Sequence, residues 1–108
     1  KAGATFDADS LLLEAAKLGI QDRDVVRFLK SHRANLETTD EKGNTPLMIA
    51  VSDNNHRLVH HLVEQGADVN AVNEAGKTPL GLAKEISATQ LVDYLLRNGA
   101  AEKTAPQQ

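Results

Sequence analysis

The chain has no cysteine. That excludes a disulfide framework, thiolate metal sites and a cysteine nucleophile, and it leaves both reducing and oxidising compartments open. Aromatic residues are scarce: Phe6, Phe28 and Tyr94 are the full set. A core must therefore come from Leu, Val, Ile and Ala, small and uniform side chains that suit layered helix packing rather than one bulky centre. Uninterrupted apolar runs reach only a few residues, too short to cross a bilayer, so no membrane partner is expected. An excess of positive charge is also missing. The formal net charge is -3, and between Asp40 and Val72 five acidic side chains face two basic ones. A reader of phosphate backbones needs the opposite sign, so nucleic acid is not an expected partner. Neither a glycine-rich phosphate loop nor a G-x-S-x-G elbow occurs. With no reactive constellation in view, neither an enzyme nor a cofactor is expected.

What the chain does have is a period. Its 108 residues are one domain's worth. "GNTPLMIA" (Gly43 to Ala50) returns as "GKTPLGLA" (Gly76 to Ala83), 33 residues on. At the same shift "RLVHHLVEQGAD" from Arg57 matches "QLVDYLLRNGAA" from Gln90, and "DVVRFLKSHRAN" from Asp24 is an earlier copy. "LLEAAKLG" from Leu12 matches "LMIAVSDN" only at a shift of 35, which implies about two extra residues near Ile20 to Arg23. Thr45-Pro46 and Thr78-Pro79 each start a short helix, ending near Asp53 and Ile86. Second helices start after Asn55 and after Ser87, where Ser87 to Gln90 has capping-box spacing. They end at Gly66 and Gly99. Leu58, Val59, Leu62 and Val63 form an apolar stripe, repeated at Leu91, Val92, Leu95 and Leu96 and anticipated at Val25, Val26 and Leu29. Two helices of about ten residues cannot bury such stripes alone, so stacking is expected.

The pattern D-x-x-G-x-T-P-L-x-x-A, a second helix running into "GADVN", and the 33-residue period resemble ankyrin repeats. The resemblance implies an all-α solenoid of stacked helix-turn-helix units joined by β-hairpin-like turns. It would form a single domain over 1–108, with repeats about 7–39, 40–72 and 73–105 and flexible ends at 1–6 and 102–108. The first unit resembles an N-terminal cap, whose outer helix exchanges apolar for charged residues. Met48 and Gly81 stand where the family usually has His, which implies looser hairpin-to-helix junctions. Arg33 and Ser87 stand where the family favours glycine.

The resemblance also implies a monomer that binds another protein through hairpin tips and the concave face of the first helices. By position the tips are Glu41, Lys42, Asn44, Glu74, Ala75 and Lys77. The helix positions are Met48, Ser52, Asp53, Gly81 and Glu85, with Glu14, Lys17 and Leu18 as first-unit equivalents. Met48 is expected either to touch the partner or to fill a gap in the stack. A second possible role lies in "HRLVHH". His56 and His60 are four apart on one helix face and, with His61, form the one candidate metal- or proton-sensing cluster, although spacing fixes no third ligand and no metal site is assigned. A third is that the units are terminal structural repeats of a longer scaffold. Asn70 resembles the asparagine hydroxylated in animal ankyrin repeats. Ala2-Gly3-Ala4 fits the small-residue pattern of a signal-peptidase site, but no apolar stretch precedes it, so a polar lead-in is expected.

Overall fold

In a computed structural model, residues 8–100 are described. Ala2-Gly3-Ala4, the ends assigned to 1–6 and 102–108, and the outermost residues of the first and third repeats lie outside them. The described residues form α1 (Ala8–Leu18), α2 (Arg23–Ser31), α3 (Pro46–Ser52), α4 (His56–Glu64), α5 (Pro79–Glu85) and α6 (Thr89–Arg97), and they contain no strand.

Each helix starts where local chemistry puts it. The Thr45 and Thr78 backbones are extended, and their hydroxyl oxygens accept from the amides of Met48 at 3.3 Å and Gly81 at 3.1 Å. The prolines that follow have no amide to leave unpaired. Asp22 caps α2 through the Asp24 amide at 2.8 Å, and Asn55 caps α4 through the Leu58 amide at 3.2 Å. The capping box at Ser87 does not form. The cap residue of α6 is Ala88, with no side-chain hydrogen bond. Ser87 stands at φ 57°, in register with Asn54 at 55° and Gly19 at 77°. The chain must turn left-handed at this position to bring the second helix back along the first. Ser87 is thereby spent on the turn, and the cap position falls to the residue after it.

A second left-handed position follows each second helix. Gly66 and Gly99 occupy it in the later units, and Arg33 in the first, at φ 68°. Arg33 therefore ends α2 as the glycines end α4 and α6. An L-residue with a Cβ in this region costs roughly 1–2 kcal/mol relative to its ordinary conformations.

Packing follows the period. The first helices form one row, α1 on α3 and α3 on α5, with α2 beside α4 in the row behind. Leu12, Ala16, Leu47, Ala50, Val51, Leu80 and Ala83 join the first helices, and Val26, Leu29, Leu58, Val59, Leu62, Leu91 and Leu95 join the second. All belong to one continuous buried cluster that runs the length of the stack.

Polar stitches repeat alongside it. The Lys30 ammonium donates to the Gln65 carbonyl at 2.9 Å, the Glu37 carboxylate accepts from the Asp68 amide at 2.8 Å, and the Asn70 side chain donates to the Gly99 carbonyl at 3.0 Å. Burial pushes the Glu37 carboxyl above its ordinary pKa; the Asp68 amide opposes the shift and the Asp68 carboxylate adds to it. The two extra residues of the first unit are Ile20 and Gln21, which separate Gly19 from the cap Asp22, whereas Asn54 and Asn55 are adjacent. The middle unit grips both. The Asn55 amide reaches the Ile20 carbonyl at 3.4 Å, and His61 Nε2 donates to the Gln21 carbonyl at 3.0 Å.

Leu62 is fully buried between the layers. Leu62→Ala is expected to cost roughly 2–5 kcal/mol, read as a shift in the urea midpoint at unchanged slope. Arg33→Gly is expected to stabilise by roughly 0.5–1 kcal/mol in the same experiment, as removal of the Cβ strain exceeds the extra freedom glycine has when unfolded.

Candidate functional site

The hairpins between units are built on side-chain acceptors. Asp40 starts the first: one oxygen accepts from the Lys42 amide at 2.9 Å and the Asn44 amide at 3.0 Å, while the Asp40 amide donates back to the Asn44 carbonyl. Burial works against ionisation of Asp40, but those amides and the nearby Lys17 ammonium outweigh it. The carboxyl lies below its ordinary pKa. Asn73 repeats the device, accepting from Ala75 and Lys77, both at 2.9 Å. Each loop is thereby closed without a strand partner.

The two hairpins are then tied together. The Glu74 amide donates to the Lys42 carbonyl at 3.1 Å, and the Asn73 side chain donates to Asn44 Oδ1 at 2.9 Å. The approach is close at Gly43, which stands at φ 79°. A Cβ there would meet the Glu74 nitrogen at 2.9 Å. Gly76 has a similar φ of 78° but open space around it. The first hairpin thus needs glycine for both conformation and room, the second for conformation alone.

On this frame the expected contact residues fall into groups. Glu41, Lys42, Glu74, Ala75 and Lys77 are exposed at the tips. Ser52 and Asp53 are exposed at the end of α3. With Lys17, Asp40, Asn44 and Ile49 they line a shallow cleft of about 330 Å³. Glu85 on α5 forms an ion pair with Lys77, joining tip to helix. Glu14, Lys17 and Leu18 are exposed on α1, and Gly81 is half-buried on α5. Asn44 is half-buried and committed to the hairpin bond. Met48 requires a correction: it is 0% exposed and cannot touch a partner. Its side chain fills space inside the stack, so an apolar residue at the family's His position marks packing here.

His56, His60 and His61 line one shallow cleft of about 390 Å³ with Arg23, Arg57 and Glu64, but each ring has its own contact. His56 Nε2 meets Asn54 Oδ1 at 3.0 Å, His60 stacks on Tyr94 with ring centroids 3.8 Å apart, and His61 Nε2 is taken by Gln21. His61 Nδ1 is buried without a hydrogen bond, 4.0 Å from Glu64. No group of three or more His, Asp or Glu placed to hold a metal occurs among the described residues. Two of the three rings act between units, a role that sequence spacing did not reveal. Asn70 is exposed, with its side-chain amide committed to Gly99. No helix among the described residues is long and apolar enough to cross a membrane.

The profile of ankyrin repeats matches residues 8–106 as three copies, and the chain belongs to that family. Ankyrin repeats are in general modules that bind other proteins, and are generally not catalytic. No curated protein matches the chain.

The two hairpin glycines differ in a measurable way. Gly76→Ala is expected to cost roughly 1–2 kcal/mol from its conformation alone. Gly43→Ala is expected to cost more, because the Cβ also displaces the Glu74 backbone. Urea melts of both variants side by side check the order; equal losses would mean that the hairpins are not in contact.

Proposed function

We propose that the chain holds a partner protein on the surface formed by its hairpin tips and first helices, and that it does so without catalysing a reaction. The contact residues are Glu41, Lys42, Glu74, Ala75 and Lys77 at the tips and Ser52, Asp53 and Glu85 on the helices, with Asn44 at the rim of the cleft. An accessory or inhibitory subunit works in this way, by occupying a partner's surface rather than transforming it.

The observation that supports this reading best is the hairpin-to-hairpin tie. The Glu74–Lys42 and Asn73–Asn44 bonds fix the spacing of two tips whose side chains remain exposed. Side chains held at fixed spacing before contact lose little freedom on binding, and that raises affinity for a matching surface. The groups alternate in sign. Lys42 lies beside Glu41, and Lys77 is paired with Glu85. A matching partner needs an alternating pattern rather than a uniform charge, since complementary charges mainly set specificity.

A photo-crosslinking residue placed in turn at Lys42, Ser52 and Lys77, in the source cell, is expected to trap the same protein at all three positions. The same residue at Gln90, exposed on α6, is expected to trap none of it. Lys42→Glu with Lys77→Glu is expected to lower capture at Ser52 by about tenfold, as a few central residues dominate such interfaces. Equal trapping at Gln90, or different proteins at the three positions, would move the contact elsewhere.

A further inference from the structure

The cleft that His56, His60 and His61 share with Arg23, Arg57 and Glu64 runs against the charge of the chain. Two guanidiniums and one carboxylate leave its lining at +1 with the rings neutral and +4 with all three protonated, where the chain as a whole carries -3. It sits where α2 and α4 begin. The seven residues of α3 separate that edge from the hairpin tips by about 10 Å.

The cations of the cleft are uncommitted. Elsewhere Lys30 is bonded to a carbonyl, Lys77 pairs with Glu85, and Arg97 pairs with Asp93. The side chains of Arg23 and Arg57 have no hydrogen bond or ion pair among the described residues, and neither have the ring nitrogens of His60. Nor does the charge serve its helix. The first turn of α4 has no acidic residue and opens with His56 and Arg57, where the helix dipole disfavours positive charge. Arg23 opens α2 in the same way, flanked by Asp22 and Asp24, of which Asp22 is bonded to the Asp24 amide.

This lining selects its occupant. Arg23 and Arg57 would repel a metal ion. A phosphate monoester carries three acceptor oxygens, and a guanidinium offers paired N–H donors that match two of them. The cleft is shallow, so a small free phosphate compound would stay largely in water. A polyanion or an anionic bilayer would also meet the acidic remainder of the chain. A single phosphate carried on another protein meets the positive lining alone. We propose that this cleft receives the phosphate of a phosphorylated serine or threonine of another protein, with Arg23 and Arg57 clamping the oxygens and His60 donating beside them. The site is separate from the hairpin tips and stands whether or not they hold a partner.

Around the rings lie Arg23 from α2, Arg57 and Glu64 from α4, and Tyr94 from α6. Burial, and then the Glu64 charge, holds the Tyr94 hydroxyl above its ordinary pKa, so it stays neutral. Histidine loses its charge as pH rises across about 5 to 8, whereas a phosphate monoester completes its ionisation near about pH 6. Above that point the loss of ring charge dominates, and binding weakens.

Nitrogen-15 NMR of the full chain, titrated with N-acetyl-phosphoserine amide near neutral pH, tests this. Saturable shifts at the amides of Arg23, His56, Arg57, His60 and His61 are expected, with a dissociation constant of about 1 mM for a few exposed charge-assisted bonds. Binding is expected to weaken at least about threefold by about pH 8. Arg23→Gln and Arg57→Gln, both exposed, are each expected to weaken it about tenfold, and Arg97→Gln on α6 to leave it unchanged. No saturation by about 20 mM, equal shifts with N-acetyl-serine amide, or undiminished affinity in both arginine variants would overturn the proposal. Phosphatidic acid vesicles and zinc chloride are titrated in parallel. Tighter binding of either at the same amides would assign the cleft to a membrane or to a metal, and would refute a phosphorylated protein.

Discussion

A pair of short antiparallel helices cannot cover its own apolar stripe. In this chain that single shortage governs the rest. Each of α1 to α6 is seven to eleven residues long, too short to be stable alone. Burial of Leu47, Leu58, Leu62, Leu80, Leu91 and Leu95 depends on an adjacent unit lying at the right distance and angle. The same distance and angle must be reproduced at each step. Identical letters recur because the geometry they serve recurs.

Backbone conformation enforces the reproduction. Gly19, Asn54 and Ser87 turn the chain between helices, and Arg33, Gly66 and Gly99 release it after them. At these positions the required left-handed turn persists whichever side chain is present, so Arg33 and Ser87 adopt it at a cost. A local strain of one or two kcal/mol is borne because the alternative, a helix pair at the wrong angle, would expose several buried leucines. The exposed tips inherit their positions from this arrangement. Asp40 and Asn73 hold the loops closed, and the bonds between Glu74 and Lys42 and between Asn73 and Asn44 carry the spacing of the core out to the surface.

Much of this was legible in the letters. Thr45-Pro46 and Thr78-Pro79 located two helix starts, and the shift of 35 at "LLEAAKLG" revealed the two added residues, later identified as Ile20 and Gln21. These signals are local, and local signals survive folding. One reading failed because tertiary demand outranked a local motif: Ser87 to Gln90 has the spacing of a capping box, but the turn needs Ser87 left-handed. For Met48 the letters left contact and gap-filling both open, and burial selects gap-filling. Of the contact surface, sequence located the tips and the ends of the helices. It could not show that Asn44 would turn inward to Asn73, that Lys77 would join Glu85, or that His60 would lie against Tyr94, because each depends on side chains about 8 to 34 residues apart.

The added pair Ile20-Gln21 has one more effect. The second and third units share 11 of 33 letters, chiefly those of the hairpin, the helix start and the apolar stripe. The insertion distinguishes them. Its carbonyls are met by Asn55 and His61, whose counterparts in the third unit are Ala88 and Tyr94. Ala88 has no side-chain donor to offer. At that junction the third unit could not reproduce the Asn55 bond that the second unit makes to the first.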